Sequence, residues 1–275
     1  MKISLLGPLT LDDEGHDITP SAPKQRELLA LLLLNANTVV PVDDCIRDLW
    51  DGDPPTGALG TVHSHMTRLR QGLAAARSGA PRLMTRGRGY VFAVKHGEID
   101  LAVFTSQVDA AKLARTKGDL SASARMVGGA LDLWRAPVLV DVAAGPLSSV
   151  LRGDLFRRRL DALCMRIDLD LELGRHHQLI SELSALGHLH PADEGIQQRL
   201  MTALYRCGRQ VEALRVYWQL RKELRIEYGV VPSTGVDRLH TAILTADPEL
   251  DSSITDVPTS LDLVDVPTSL DLMAG

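Results

Sequence analysis

Apolar positions follow two different periods along this chain. From Lys2 to Ile18, short apolar groups are separated by a Gly7-Pro8 break and a polar Asp12–Gly15 turn, which predicts short strands. The dense apolar run Leu28–Leu34 predicts a mostly buried helix over about Lys24–Asn35, entered through Pro20 and Pro23, with Ser21 as a candidate cap. A second helix starts at Val42, with Asp43 and Asp44 in its first turn, where acids suit the dipole, and Ile46, Leu49 and Trp50 on its core face. Asp51-Gly52-Asp53-Pro54-Pro55 follows as a rigid acidic loop. Val62, Met66, Leu69 and Leu73 then recur at spacings of four, three and four, the stripe of an amphipathic helix. Leu83-Met84 and Tyr90–Val94 flank Arg86-Gly87-Arg88-Gly89, which predicts a hairpin with both glycines at positive φ.

From residue 98 to 246 the period is helical throughout. Helices are expected at about 100–117, 119–135, 147–173, 176–189, 193–207, 209–228 and 233–245. The breaks at Gly174-Arg175 and Gly208-Arg209 lie 34 residues apart, the tetratricopeptide period. Gly118-Asp119 is a similar break 56 residues earlier, so the array is interrupted, with an insertion around Arg135–Pro146. The expected fold is mainly α with small β: an N-terminal winged helix-turn-helix over 1–97, then an all-α tetratricopeptide-like helical-repeat domain over 98–248.

Charge distinguishes one block. Pro55–Gly97 holds seven Lys or Arg and no acid, whereas the preceding 54 residues hold four basic and ten acidic residues. On a chain of net charge −5, an acid-free basic block points to a polyanionic partner, nucleic acid above all. From Asp247 onward the chain holds seven acids and no base, and Asp-Val-Pro-Thr-Ser-Leu-Asp-Leu occurs at 256–263 and again at 265–272. That composition predicts a disordered acidic tail over 249–275: a docking peptide, a shield for the basic face, or a passive extension. Cys45, Cys164 and Cys207 are too scattered for a disulfide framework and read as buried thiols of a reducing compartment. No secretory signal is evident and the longest strongly apolar run has seven residues, so a cytoplasmic, nucleoid-associated protein with no membrane partner is expected.

The outward face of the 56–73 helix, about 180° from its apolar stripe, carries Gly60, Ser64, Thr67, Arg68 and Gln71. Small residues allow close approach to a major groove, while Arg and Gln can bond base edges. Thr61, Ser64, Thr67, Arg68 and Gln71 are therefore the candidates for the groove. Arg70, on the flank, and Arg86 and Arg88, at the hairpin tip, are the candidates for phosphate or the minor groove, in the order of a winged helix.

Residues 23–34, together with Leu49-Trp50, Asp53-Pro54-Pro55, Ser64–Arg70 and Thr85–Tyr90, closely resemble the Streptomyces antibiotic regulatory proteins. These are transcriptional activators of secondary-metabolite gene clusters, built from an OmpR-type winged helix and a bacterial transcriptional activator domain. The resemblance covers roughly residues 1–248; Gly60 departs from the larger, often polar, residue of the family. It implies binding to double-stranded promoter DNA at tandem direct repeats near the −35 element, with self-association head to tail on that DNA. It also implies contact with RNA polymerase and its sigma factor through Asp51, Asp53, Pro54 and Pro55 and parts of the helical domain, though a plain inter-helix loop fits those residues equally well.

Enzyme chemistry finds no footing in the sequence. Phosphate-loop, Gly-x-Ser-x-Gly and His-Glu-x-x-His motifs are all missing. His63/His65 and His188/His190 sit at i and i+2, which point to different faces of a helix, so no metal or cofactor is expected. A phosphoacceptor receiver domain is not expected either. The alternative class is a helical-repeat adaptor whose winged helix binds protein rather than DNA.

Overall fold

A computed structural model describes residues 1–74 and 82–251, which form two compact units, Met1–Leu169 and Asp170 onward. The first opens with an antiparallel sheet, β1 (Lys2–Ser4), β2 (Thr10–Asp13) and β3 (His16–Asp17), in the order β1-β2-β3. Three helices follow: α1 (Pro23–Leu34), α2 (Val42–Trp50) and α3 (Ala58–Ala74). Ala22, not Ser21, is the N-cap of α1, without a side-chain bond, and Pro23 occupies the first turn, where its missing N–H costs nothing. Between α1 and α2 lies β4 (Val40–Pro41); at two residues it is too short for period reading. It joins the hairpin of β5 (Leu83–Arg86) and β6 (Gly89–Phe92) in a second sheet ordered β4-β6-β5. One core unites these pieces: Leu28–Leu33 of α1, Cys45 and Leu49 of α2, Val62, Met66 and Leu69 of α3, and Leu83, Tyr90 and Phe92 of the hairpin.

That core does not stop at the winged helix. The chain continues through α4 (Asp100–Thr116), α5 (Leu120–Leu131) and α6 (Pro146–Glu172). Asp100 accepts hydrogen bonds from the Leu5 and Leu6 amides at 2.8 and 3.1 Å, and Asp141 accepts from the Leu9 amide at 2.9 Å while pairing with Arg26. Burial pushes the Asp100 carboxyl above its ordinary range, against the pull of these donors and of Arg135. The Leu139 amide donates to the Leu5 and Gly7 carbonyls, and its side chain is fully buried in the N-terminal core. Leu139 holds a φ of 50°, a costly conformation for a branched side chain, so these contacts over-determine it. The Arg135–Pro146 stretch is thus a ledge against the turn between β1 and β2. Arg152 of α6 fixes the ledge by donating to the Leu139, Val142 and Ala143 carbonyls.

The start of α6 is capped from another part of the chain. Its N-cap, Gly145, has no side chain to offer the Ser148 amide; the buried Asp48 carboxylate of α2 accepts that N–H at 2.9 Å instead. Ser148 returns the favour by accepting from the Gly145 amide at 2.9 Å. A Cβ on Gly145 would lie 1.8 Å from the Asp48 carbonyl oxygen, so no other residue fits there.

The second unit packs α7 (His176–Leu189) on α8 (Glu194–Arg206), α8 on α9 (Gln210–Glu223), and α9 and α8 on α10 (Thr234–Leu244). One π-helical turn, Leu224–Tyr228, extends α9. The three helix breaks close alike: the amides of Asp119, Arg175 and Arg209 each reach back five residues, to the carbonyls of Ala114, Asp170 and Leu204. Tyr217 stacks on His240 at 3.7 Å and donates to Asp237 at 2.8 Å, tying α9 to α10. No helix among the described residues is long and apolar enough to cross a membrane. The expectations for the tail from residue 252 and for Arg77 lie outside the described residues.

Candidate nucleic-acid interface

The apolar stripe of α3 is anchored as its spacing requires, with Val62, Met66 and Leu69 buried and Leu73 half-buried. Gly60, Thr61, Ser64, Thr67, Arg68 and Gln71 are all exposed. The three hydroxyls donate to carbonyls four residues earlier: Thr61 to Gly57 at 3.3 Å, Ser64 to Gly60 at 2.9 Å and Thr67 to His63 at 3.0 Å. Such bonds occupy the hydroxyl proton and leave oxygen lone pairs facing outward. Desolvation first, then the positive charges of Arg68 and Lys24, hold the half-buried His65 below its ordinary pKa. A largely neutral imidazole at this flank adds no cation of its own.

The hairpin tip presents Arg86 and Arg88, both exposed. Neither they nor Arg68 form an ion pair among the described residues. The two turn glycines have different jobs. Gly87 has a φ of 56° at the first central position, the pattern of a type II′ turn. Gly89 lacks positive φ, contrary to the sequence expectation; it is small because a Cβ there would meet the Val40 carbonyl oxygen at 2.5 Å. The third strand β4 sets that requirement, and β4 is the element the period reading misses.

The basic block is not uniformly available. Arg82 is buried and forms a bidentate pair with Glu98 at 2.6 and 2.8 Å, just past the acid-free stretch. The Arg82 hydrogen bonds hold the Glu98 carboxyl below its ordinary range, and the same bonds raise Arg82. Arg70 is half-buried and turned toward the hairpin: Nε donates to the Leu83 carbonyl at 3.0 Å and Nη2 to Thr85 Oγ1 at 2.7 Å. The loop Asp51–Pro55 is exposed along its whole length, with Asp51 ending α2 in the left-handed region at φ 46°. Among the described residues, no group of His, Cys, Asp and Glu is arranged to hold a metal ion.

The model of the bacterial transcriptional activator domain matches residues 99–244, and that of the transcriptional regulatory protein C-terminal domain matches residues 16–92. Regulatory protein DnrI of Streptomyces peucetius is 39% identical over 266 residues, covering 94% of this chain and 98% of that one. Regulatory protein AfsR of Streptomyces coelicolor is 39% identical over 251 residues, 91% of this chain but 25% of its own length. In three dimensions the chain is similar to Mycobacterium tuberculosis EmbR, solved in complex with a low-affinity phosphopeptide, with a TM-score of 0.84 and 31% identity over 90% of this chain and 65% of that one. An exposed, acid-free helix face beside a basic wing, joined to a matched activator domain, places this chain in the Streptomyces antibiotic regulatory protein family of DNA-binding transcriptional regulators.

Proposed function

We propose that the chain is a sequence-specific activator of an antibiotic gene cluster that binds tandem direct repeats near the −35 promoter element and recruits RNA polymerase. The observation that carries this reading is the outward face of α3 set beside an arginine-bearing wing. Thr61, Ser64, Thr67, Arg68 and Gln71 are exposed together, while Arg86 and Arg88 stand clear of any carboxylate among the described residues. In this reading α3 enters the major groove, and Arg70, Arg86 and Arg88 lie against phosphates or the minor groove. Residues 1–97 serve as the reading domain and 98–248 as the activating one, with 249–275 as an acidic tail. Asp51, Asp53, Pro54 and Pro55 meet the polymerase and its sigma factor; their exposure and the two prolines lower the ordering cost of docking. Direct repeats require protomers to associate head to tail on the DNA.

Footprinting of the full-length chain on promoter fragments at several salt concentrations tests the reading. The expected result is a pair of protected tandem repeats and an affinity that falls steeply with salt. A folded chain that leaves no footprint at low salt overturns it in favour of a protein-binding adaptor.

A further inference from the structure

We infer that Arg70 is a positioning residue that locks the wing to α3, so that helix and wing meet DNA as one surface; this rests on the DNA-reading function proposed above. Thr85 and Tyr90 face each other across β5 and β6, one register pair in from the Arg86–Gly89 pair that closes the turn. Arg70 engages both members of that pair. Nη2 bonds Thr85 Oγ1 at 2.7 Å, and the guanidinium carbon stands 5.6 Å from the centre of the Tyr90 ring. Nε bonds the Leu83 carbonyl at 3.0 Å, two residues down the same strand. From the preceding turns of α3, His63 meets the Tyr90 ring edge-on at 6.4 Å. Two N–H groups at a fixed angle and a flat cation against a ring are features of arginine that lysine cannot reproduce. The hairpin is thus gripped immediately behind Arg86 and Arg88. With two of its five N–H groups committed, the guanidinium retains three to meet a phosphate where the two elements converge.

The test measures DNA affinity of full-length Arg70→Lys, Thr85→Val, Arg88→Ala and their double variants, with hydrogen exchange of the β5–β6 amides in the free protein. Arg70→Lys keeps the charge, so a simple phosphate contact tolerates it. A positioning role predicts about a tenfold loss, the size of one charge-assisted hydrogen bond. It also predicts that Thr85→Val, which removes no charge, weakens binding and adds little to Arg70→Lys. Arg88→Ala becomes nearly silent in the Arg70→Lys background, because the wing is no longer held in place. Faster exchange at the hairpin in both single variants completes the expectation. Wild-type affinity for Arg70→Lys, or losses from Arg70→Lys and Arg88→Ala that multiply independently, overturns it. If the parent chain fails to bind DNA, the proposed function falls, and hydrogen exchange alone decides whether Arg70 locks the wing. If Arg70→Lys does not fold, Thr85→Val and its combination with Arg88→Ala carry the same comparison.

Discussion

Arginines of this chain with the same charge are put to different uses. Arg68 and Arg88 are exposed and free of acids among the described residues, whereas Arg82 is sealed against Glu98. In the proposed complex Arg68→Ala costs about 1–3 kcal/mol and relaxes specificity at one base pair, which selection from a randomised site would show. Arg88→Ala instead weakens all sequences alike and lowers the salt slope by about one unit. Glu98 has a pH signature. Its folded pKa lies below the ordinary 4.5, so its stabilising effect is present above that value and lost as pH falls through the depressed one. Denaturant titrations should therefore find Glu98→Gln less stable than the parent at neutral pH, with the gap closing in acid. A gap that does not change with pH would mean that the carboxylate charge contributes nothing to the pair. The seven-residue count of the basic block was legible in the sequence; which of its members face solvent was not. Arg82 differs from Arg86 through a partner 16 residues away rather than through its neighbours.

Elements whose signal is local were readable, and those completed at long range were not. The stripe Val62–Leu73 defines both the extent of α3 and its outward face, since a 3.6-residue period suffices for each. The seven α-helices described after residue 98 follow from the same period and from repeated break chemistry. By contrast, β4 spans two residues and exists only because β6 lies beside it. The cap on α6 is equally invisible, for it joins positions 100 residues apart. Asp48→Ala removes the acceptor for the buried Ser148 amide and should cost about 1–3 kcal/mol in a denaturant titration. Asp48→Asn keeps one oxygen and should cost less. Equal stability of all three proteins would show that the α6 terminus finds another acceptor.

At the scale of the whole molecule, the compact first unit and the matched families divide the chain differently. The regulatory match ends at residue 92, the activator match begins at 99, and the first unit runs to Leu169. The reason is the ledge: the turn between β1 and β2, residues 5–9, receives its backbone partners from Asp100, Arg135, Leu139 and Asp141. A fragment of residues 1–97 leaves the amides of Leu5, Leu6 and Leu9 without these acceptors and uncovers the core beneath Leu139. It should melt well below a fragment of residues 1–169 when both are followed by circular dichroism. Matching melting curves would show that the winged helix stands alone.

The ledge also constrains how such regulators can be recombined. Under the proposed function, the DNA-reading surface is transferable only together with its support. Chimeras between this chain and a relative that are spliced at the short connector near residue 97 pair one parent's β1–β2 turn with the other parent's ledge. Splices beyond Leu139 and Asp141, within α6, inherit both from one parent. The same holds for single changes: one at Leu5, Gly7 or Leu9 alters contacts made some 130 residues downstream, inside what the sequence presents as a different domain.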